Sequence, residues 1–102
     1  MGSRLKLHEE LCVILGTRNV YFQPPASVRM NHPCVRYSLG GVDHIRANDK
    51  IYKNTNRYEI VVIDQNPDSD IYSKILAHFQ MCSFERTYTA DNLNHWVLTL
   101  YY

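Results

Sequence analysis

The sequence predicts an α+β fold: an antiparallel or mixed β-sheet with two α-helices packed on one face and a long protruding β-hairpin. Three observations predict it. Apolar residues recur at helical spacing in two segments, 7–15 and 71–79. Between and after these segments, β-branched and aromatic runs either alternate at period two or are continuously apolar. Asn, Asp, Pro and Gly punctuate the runs where the chain must turn. At 102 residues the chain can close one hydrophobic core without metal or disulfide staples, so residues 1–102 are read as a single domain.

In the first segment Leu7, Leu11, Ile14 and Leu15 form one stripe, with Arg4, Lys6, Glu9 and Glu10 largely turned away from it. Ser3 can cap this helix, and Gly16 stands where a left-handed residue commonly ends one. Val20, Tyr21 and Phe22 then make a short strand. Pro24 and Pro25 stop it, because neither can donate to a ladder. After a connector, Pro33 opens an extended run over 34–39 in which Val35, Tyr37 and Leu39 share a face. Gly40 and Gly41 mark a bulge or bend, past which the strand can continue toward Arg46.

Residues 47–50 have turn chemistry, and 51–64 form the return strand. Ile60, Val61, Val62 and Ile63 are continuously apolar, which predicts a central strand covered on both faces. The two runs form a long hairpin whose distal half is polar. A turn over 64–70 introduces the second helix, with Asp68 or Ser69 as its cap and Ile71, Ile75, Leu76 and Phe79 as its stripe. Residues 84–89 alternate, 90–94 turn, and 95–102 alternate again. The last run places Trp96, Leu98, Leu100 and Tyr102 on one side.

Lysine and arginine total 11 against 10 acidic residues, giving a net charge of +1 and no long-range field to gather a polyanion or an anionic membrane. No apolar run approaches the ~20 residues that cross a bilayer, and the start lacks a signal segment, so the expectation is a protein made in a cytoplasm and bound to no membrane. Lys6 replaces the Ser or Thr that a myristoylation motif requires. The odd, scattered cysteines Cys12, Cys34 and Cys82 read as buried free thiols in a reducing compartment.

Candidate chemistry is thin. His8, Glu9 and Cys12 imitate a zinc-protease helix, but cysteine stands where the second histidine belongs. Asp64, Asn66 and Asp68 alternate like a calcium loop, yet Ser69 and Ile75 occupy the positions of its glycine and glutamate. His32, Cys34, His44, His78 and His95 show no spacing that makes them an acid, base or nucleophile set. The sequence is therefore read as a protein that is not an enzyme, with no catalytic, cofactor or metal residues.

The eight tyrosines carry more weight, especially Tyr52, Tyr58, Tyr88, Tyr101 and Tyr102, because tyrosine on a β-surface is a protein-contact residue. Arg36, Arg46, Lys50, Lys53 and Arg57 cluster along the hairpin, interleaved with Asp43, Asp49 and Glu59. That mixture favours a polar protein interface over a stacking groove for single-stranded nucleic acid, which is the alternative.

The order of segments and several strings carry a resemblance across nearly the whole chain. They are the VYFQPP corner at 20–25, PCVRY at 33–37, YEIVVID at 58–64, the helix introduced by PDSD at 67–70, and the closing hairpin string YTADNLNH at 88–95. The chain resembles the tail-completion or tail-terminator proteins of long-tailed bacteriophages. The resemblance implies a structural virion protein of the tail neck, assembled in the host bacterial cytoplasm. It implies a homo-oligomer, a hexameric ring at the head-proximal end of the tail that terminates the tail tube. The partners implied are the tail tube protein and a head-side connector or stopper protein, with DNA only passing through the lumen. An adjacent head-tail joining ring is the neighbouring possibility. On this reading the interface residues are Asp43, Arg46, Lys50, Tyr52, Lys53, Arg57, Tyr101 and Tyr102.

Overall fold

A computed structural model describes residues 4–25, 29–47 and 50–102, and the side chains of these except 42–47 and 50–55. The elements are α1 (Arg4–Leu15), β1 (Val20–Phe22), β2 (Cys34–Ala47), β3 (Lys50–Asp64), α2 (Ile71–His78), β4 (Cys82–Ala90) and β5 (Leu93–Tyr101). The strands form one open sheet in the order β1-β2-β3-β5-β4. β1 runs parallel to β2 and every other pairing is antiparallel, so the sheet is mixed and the fold α+β.

Both helices cover the same face. Leu7, Leu11 and Cys12 of α1 and Ile75 and Phe79 at α2 pack with Val35, Tyr37, Ile60, Val62, Trp96, Leu98 and Leu100 of the sheet. The period-two pattern puts those strand residues on one side, and the helical stripes close over them. Gly16 ends α1 at φ 83°, and its N–H donates to the Cys12 carbonyl at 2.9 Å. A side chain there would hold a left-handed conformation that L-residues resist. The Ser3 cap falls outside the described residues.

The opposite face is covered only in part. Cys34, Val61, Ile63 and Val97 form a second, smaller buried cluster, with Tyr21, Met30 and Leu93 packed against it. This is why Ile60, Val61, Val62 and Ile63 are continuously apolar: alternate residues serve two different cores. Farther along, the same face turns polar.

Two expectations need correcting. The α2 cap position is Asp70, not Asp68 or Ser69, and it makes no side-chain cap bond. The side-chain bonds of the turn come from Asp64 and Asn66 instead: Asp64 Oδ1 accepts from the Asn66 N–H and Asn66 Oδ1 from the Asp68 N–H, at 3.1 and 3.0 Å, while the Ser69 hydroxyl is buried without a partner among the described residues. Leu39 keeps the face of Val35 and Tyr37 but is 45% exposed, because β1 pairs only as far as Tyr37. β4 does not alternate in burial; Ser83 to Thr89 are all exposed, since no further strand pairs with this edge among the described residues and α2 reaches it at Tyr72, against Phe84, without burying it.

The long hairpin pairs from Cys34↔Ile63 to Ala47↔Lys50, with a register shift at Leu39/Gly41 where the glycines predicted a bulge. The β5 pairing stops at Arg57↔Tyr101. Beyond that point the hairpin carries no third strand among the described residues. The predicted turn residues Asn48 and Asp49 lie outside the described residues.

Candidate functional site

The sequence-predicted interface residues fall into two groups. Asp43, Arg46, Lys50, Tyr52 and Lys53 belong to the distal ribbon, where the register sets Asp43 opposite Thr55, Ile45 opposite Lys53 and Arg46 opposite Ile51. Their side chains lie outside the described set. Arg57, Tyr101 and Tyr102 meet at the hairpin base, where β5 ends.

At that base, Arg57 Nη2 donates to the Gly40 carbonyl at 3.1 Å. A Cβ added at Gly41 would stand 2.7 Å from the same nitrogen. The glycines therefore do more than bend the strand: they leave room for a guanidinium to lie across the bulge. Tyr101 faces Arg57 in register, and with Glu59, Glu85 and Thr99 they line an open groove of about 390 Å³. Thr99 Oγ1 donates to Glu85 Oε2 at 3.2 Å, which ties the groove floor to the neighbouring strand. Glu59 also lines a smaller cleft of about 190 Å³ with Gln23, Arg36 and Ser38. The polar half of the open face is thus a shallow surface of alternating charge. Alternate exposed positions on a sheet project to one side, so Arg57, Glu59 and Tyr101 act together.

Tyr102 has a different role. Its hydroxyl donates to Glu10 Oε2 of α1, while Glu10 Oε1 pairs with His78 Nε2 of α2 at 3.1 Å. The Tyr102 N–H donates to the Asn56 carbonyl at 2.9 Å. One residue therefore links both helices to the hairpin base. Burial works to raise the Glu10 carboxyl, but the bonds from Tyr102 and His78 outweigh it and hold the group below the usual value. Burial first, then the Glu10 bond, pushes the Tyr102 phenol up to about 12. Tyr58, expected as a contact tyrosine, is instead a core residue 3% exposed. It pairs with Leu39 on one side and Leu100 on the other, which turns its ring toward the helices. Tyr88 is exposed and stacks on His95 with centroids 4.5 Å apart.

His44 lies outside the described side chains; of the other candidates, Cys34 and His95 both stand opposite Ile63, from the strands on either side of it. Burial pushes the Cys34 and Cys82 thiols up to about 11 and raises that of Cys12 as well, the direction opposite to an activated thiolate. His95 is buried, its Nδ1 lies 3.1 Å from the Leu93 carbonyl oxygen, and burial lowers its pKa. His8 Nδ1 lies 2.8 Å from the Tyr37 hydroxyl, which also accepts from Arg4 Nη1 at 3.2 Å. Cys12 stays in the core rather than joining His8. Among the described residues no three His, Cys, Asp or Glu side chains are placed to hold a metal ion. No helix among them is long and apolar enough to cross a membrane.

Residue-by-residue reading missed the groove residues Glu85 and Thr99 and the Glu10–His78–Tyr102 bridge. The signal for Glu59 was present: a lone carboxylate beside a continuously apolar run. The bridge joins residues 68 and 92 positions apart, and nothing local announces it. Comparison with family models finds none that matches this chain, and comparison with curated proteins finds no match either.

Proposed function

We propose that this protein is a structural subunit of a long-tailed phage neck. Copies form a hexameric ring at the head-proximal end of the tail, terminate the tail tube and join it to the head-side connector or stopper protein. DNA passes through the lumen without being gripped, and the protein carries out no bond chemistry. Its place is the virion, after assembly in the host cytoplasm. The observation that carries the reading is the long hairpin. The residues marked for contact lie along it or at its base, and past Arg57 the ribbon has no flanking strand among the described residues. A two-stranded ribbon alone is marginally stable in water, so a neighbour that buries it supplies what the isolated chain lacks. Heterologous contacts of this kind close into rings when the rotation per subunit closes. The mixed charge of the groove, with Glu59 and Glu85 beside Arg57, suits a protein surface better than a phosphate backbone.

Electron microscopy of particles from a phage lacking this gene, with and without the purified protein added back, tests the proposal. Tails of abnormal length corrected by the protein establish termination. Finished tails that fail to meet full heads until the protein is added establish joining. Normal, infectious particles overturn the proposal.

A further inference from the structure

β4 is a nine-residue strand at the edge of the sheet, and its outer side is unpaired among the described residues. Natural edges of this length are usually blunted by charge, bulges or cover, because free N–H and C=O groups template another strand. Here the blunting is incomplete. Phe84 is 46% exposed and Tyr88 38%, with Met81 at 56% just before the strand. Two partly exposed aromatics on one free edge are features of a contact surface rather than of a defended one.

The charges point to what the edge meets. A register shift between Phe84 and Arg86 lets Glu85 and Arg86 both face the open side of the sheet: Arg86 pairs with Val97, and Glu85 accepts from Thr99. They are adjacent and opposite in sign, and they pair with each other at 2.8 Å. Such a dipeptide is self-complementary under a two-fold axis. We propose that two copies of this chain pair their β4 strands antiparallel, with the axis between Glu85 and Arg86. Each Glu85 then stands opposite Arg86 of the partner copy, Phe84 opposite Thr87, and Ser83 opposite Tyr88. The side-chain faces agree in every pair. Phe84 and Thr87 lie on the helix side, opposite Leu98 and Trp96 within the chain, while Ser83 and Tyr88 lie on the open side, opposite Thr99 and His95. Shifting the pairing register by one residue either way would set Glu85 against Glu85 or Arg86 against Arg86, and like charges directly opposite are destabilising. Glu85 also lines the groove at the hairpin base, whereas Arg86 does not, so the Arg86→Glu variant separates this contact from a neck ring.

Sedimentation across a concentration series tests it, using the full chain and variants at two exposed positions whose folding is checked by circular dichroism. The wild type shows dimers that grow with concentration and weaken with salt. Glu85→Arg and Arg86→Glu each convert two attractive cross-strand pairs into repulsive ones and weaken the dimer about tenfold or more. An equal mixture of the two variants forms heterodimers, and the double reversal E85R/R86E restores the homodimer. A wild type that is monomeric at every concentration overturns the proposal. So do single reversals that leave association unchanged, which would place self-association on another surface such as the hairpin. Loss in the single variants without recovery in the mixture also overturns it, because the antiparallel register demands that recovery.

Discussion

β4 and β5 are the two arms of one hairpin, equal in length, yet nearly every side chain of β4 is exposed while five of the nine in β5 are buried. Composition separates them in part, since β5 holds three Leu and a Val where β4 has none of these and carries Glu85 and Arg86 instead. Position completes the contrast. β5 has β3 on one side and β4 on the other, and both sheet faces over it carry buried residues, with Trp96 and Leu98 toward the helices and Val97 toward the open side. β4 has one neighbour and an open flank. The contrast teaches that a strand's energetic weight is set by what lies beside and above it, and that the exposed arm is the one left to meet another molecule.

Truncation is the strongest way to break this contrast. Leu98→Ala removes a side chain with 0% exposure from the centre of the main core and is expected to cost about 2–5 kcal/mol by urea unfolding. Phe84→Ala, at the register partner of Leu98, removes a larger side chain. It is expected to cost only about 1 kcal/mol, because nearly half its surface already meets water and its ring contact with Tyr72 is peripheral. Equal costs at the two positions would show that β4 is as buried as β5.

The turn that joins the arms gives a smaller effect. Asp91 and Asn92 both sit at positive φ, 53° and 60°, the conformation of a two-residue hairpin turn that Asn, Asp and Gly tolerate. Asn92→Val forces a β-branched residue into that region and is expected to cost about 1–2 kcal/mol. Asn92→Gly is expected to be neutral or slightly stabilising. Thermal unfolding of the two variants checks both signs, and loss in the glycine variant would mean that the Asn side chain, not its backbone, holds the turn.

Much of this arrangement was legible in the sequence because it is local. The Leu7–Leu11 stripe, the continuous apolar run of Ile60 to Ile63 and the alternation of Trp96, Leu98 and Leu100 each encode a face directly. Gly40 and Gly41 announced the bulge. What local pattern could not supply was the neighbour of each strand. Tyr58 and Tyr88 are the same residue type in extended runs, yet β5 pairs beside Tyr58 while Tyr88 stands on the edge strand. Leu39 shares the face of Val35 and Tyr37 as its alternation predicted, but its exposure follows from the length of β1, which no local pattern gives. At the site, the hairpin base was legible through Arg57 and Tyr101. The link from Tyr102 to Glu10 was not, because it depends on how the two helices are laid across the end of the sheet.

The finest probe of the contrast is a slope rather than a loss. His95 on β5 is held under the ring of Tyr88 on β4, and burial foremost lowers its pKa from the ordinary 6.5. Against this act the bond to the Leu93 carbonyl and the charge of Asp91, while Arg36 and His32 add to the lowering. His8 is lowered in the same direction, by burial first and then by the charge of Arg4. For a base whose folded pKa lies below its unfolded one, the unfolded chain binds more protons as pH falls through that range. Stability is then full above 6.5 and is lost as pH drops below it. Glu10, held below its usual value, adds loss in the same direction at more acid pH. Urea unfolding from pH 8 to pH 5 is expected to show stability falling toward the acid end. Tyr88→Ala uncovers the His95 ring and is expected to flatten that slope. An unaltered slope in the Tyr88 variant would assign the acid sensitivity to His8 and the helix layer. The edge strand would then contribute cover but no control over the histidine behind it.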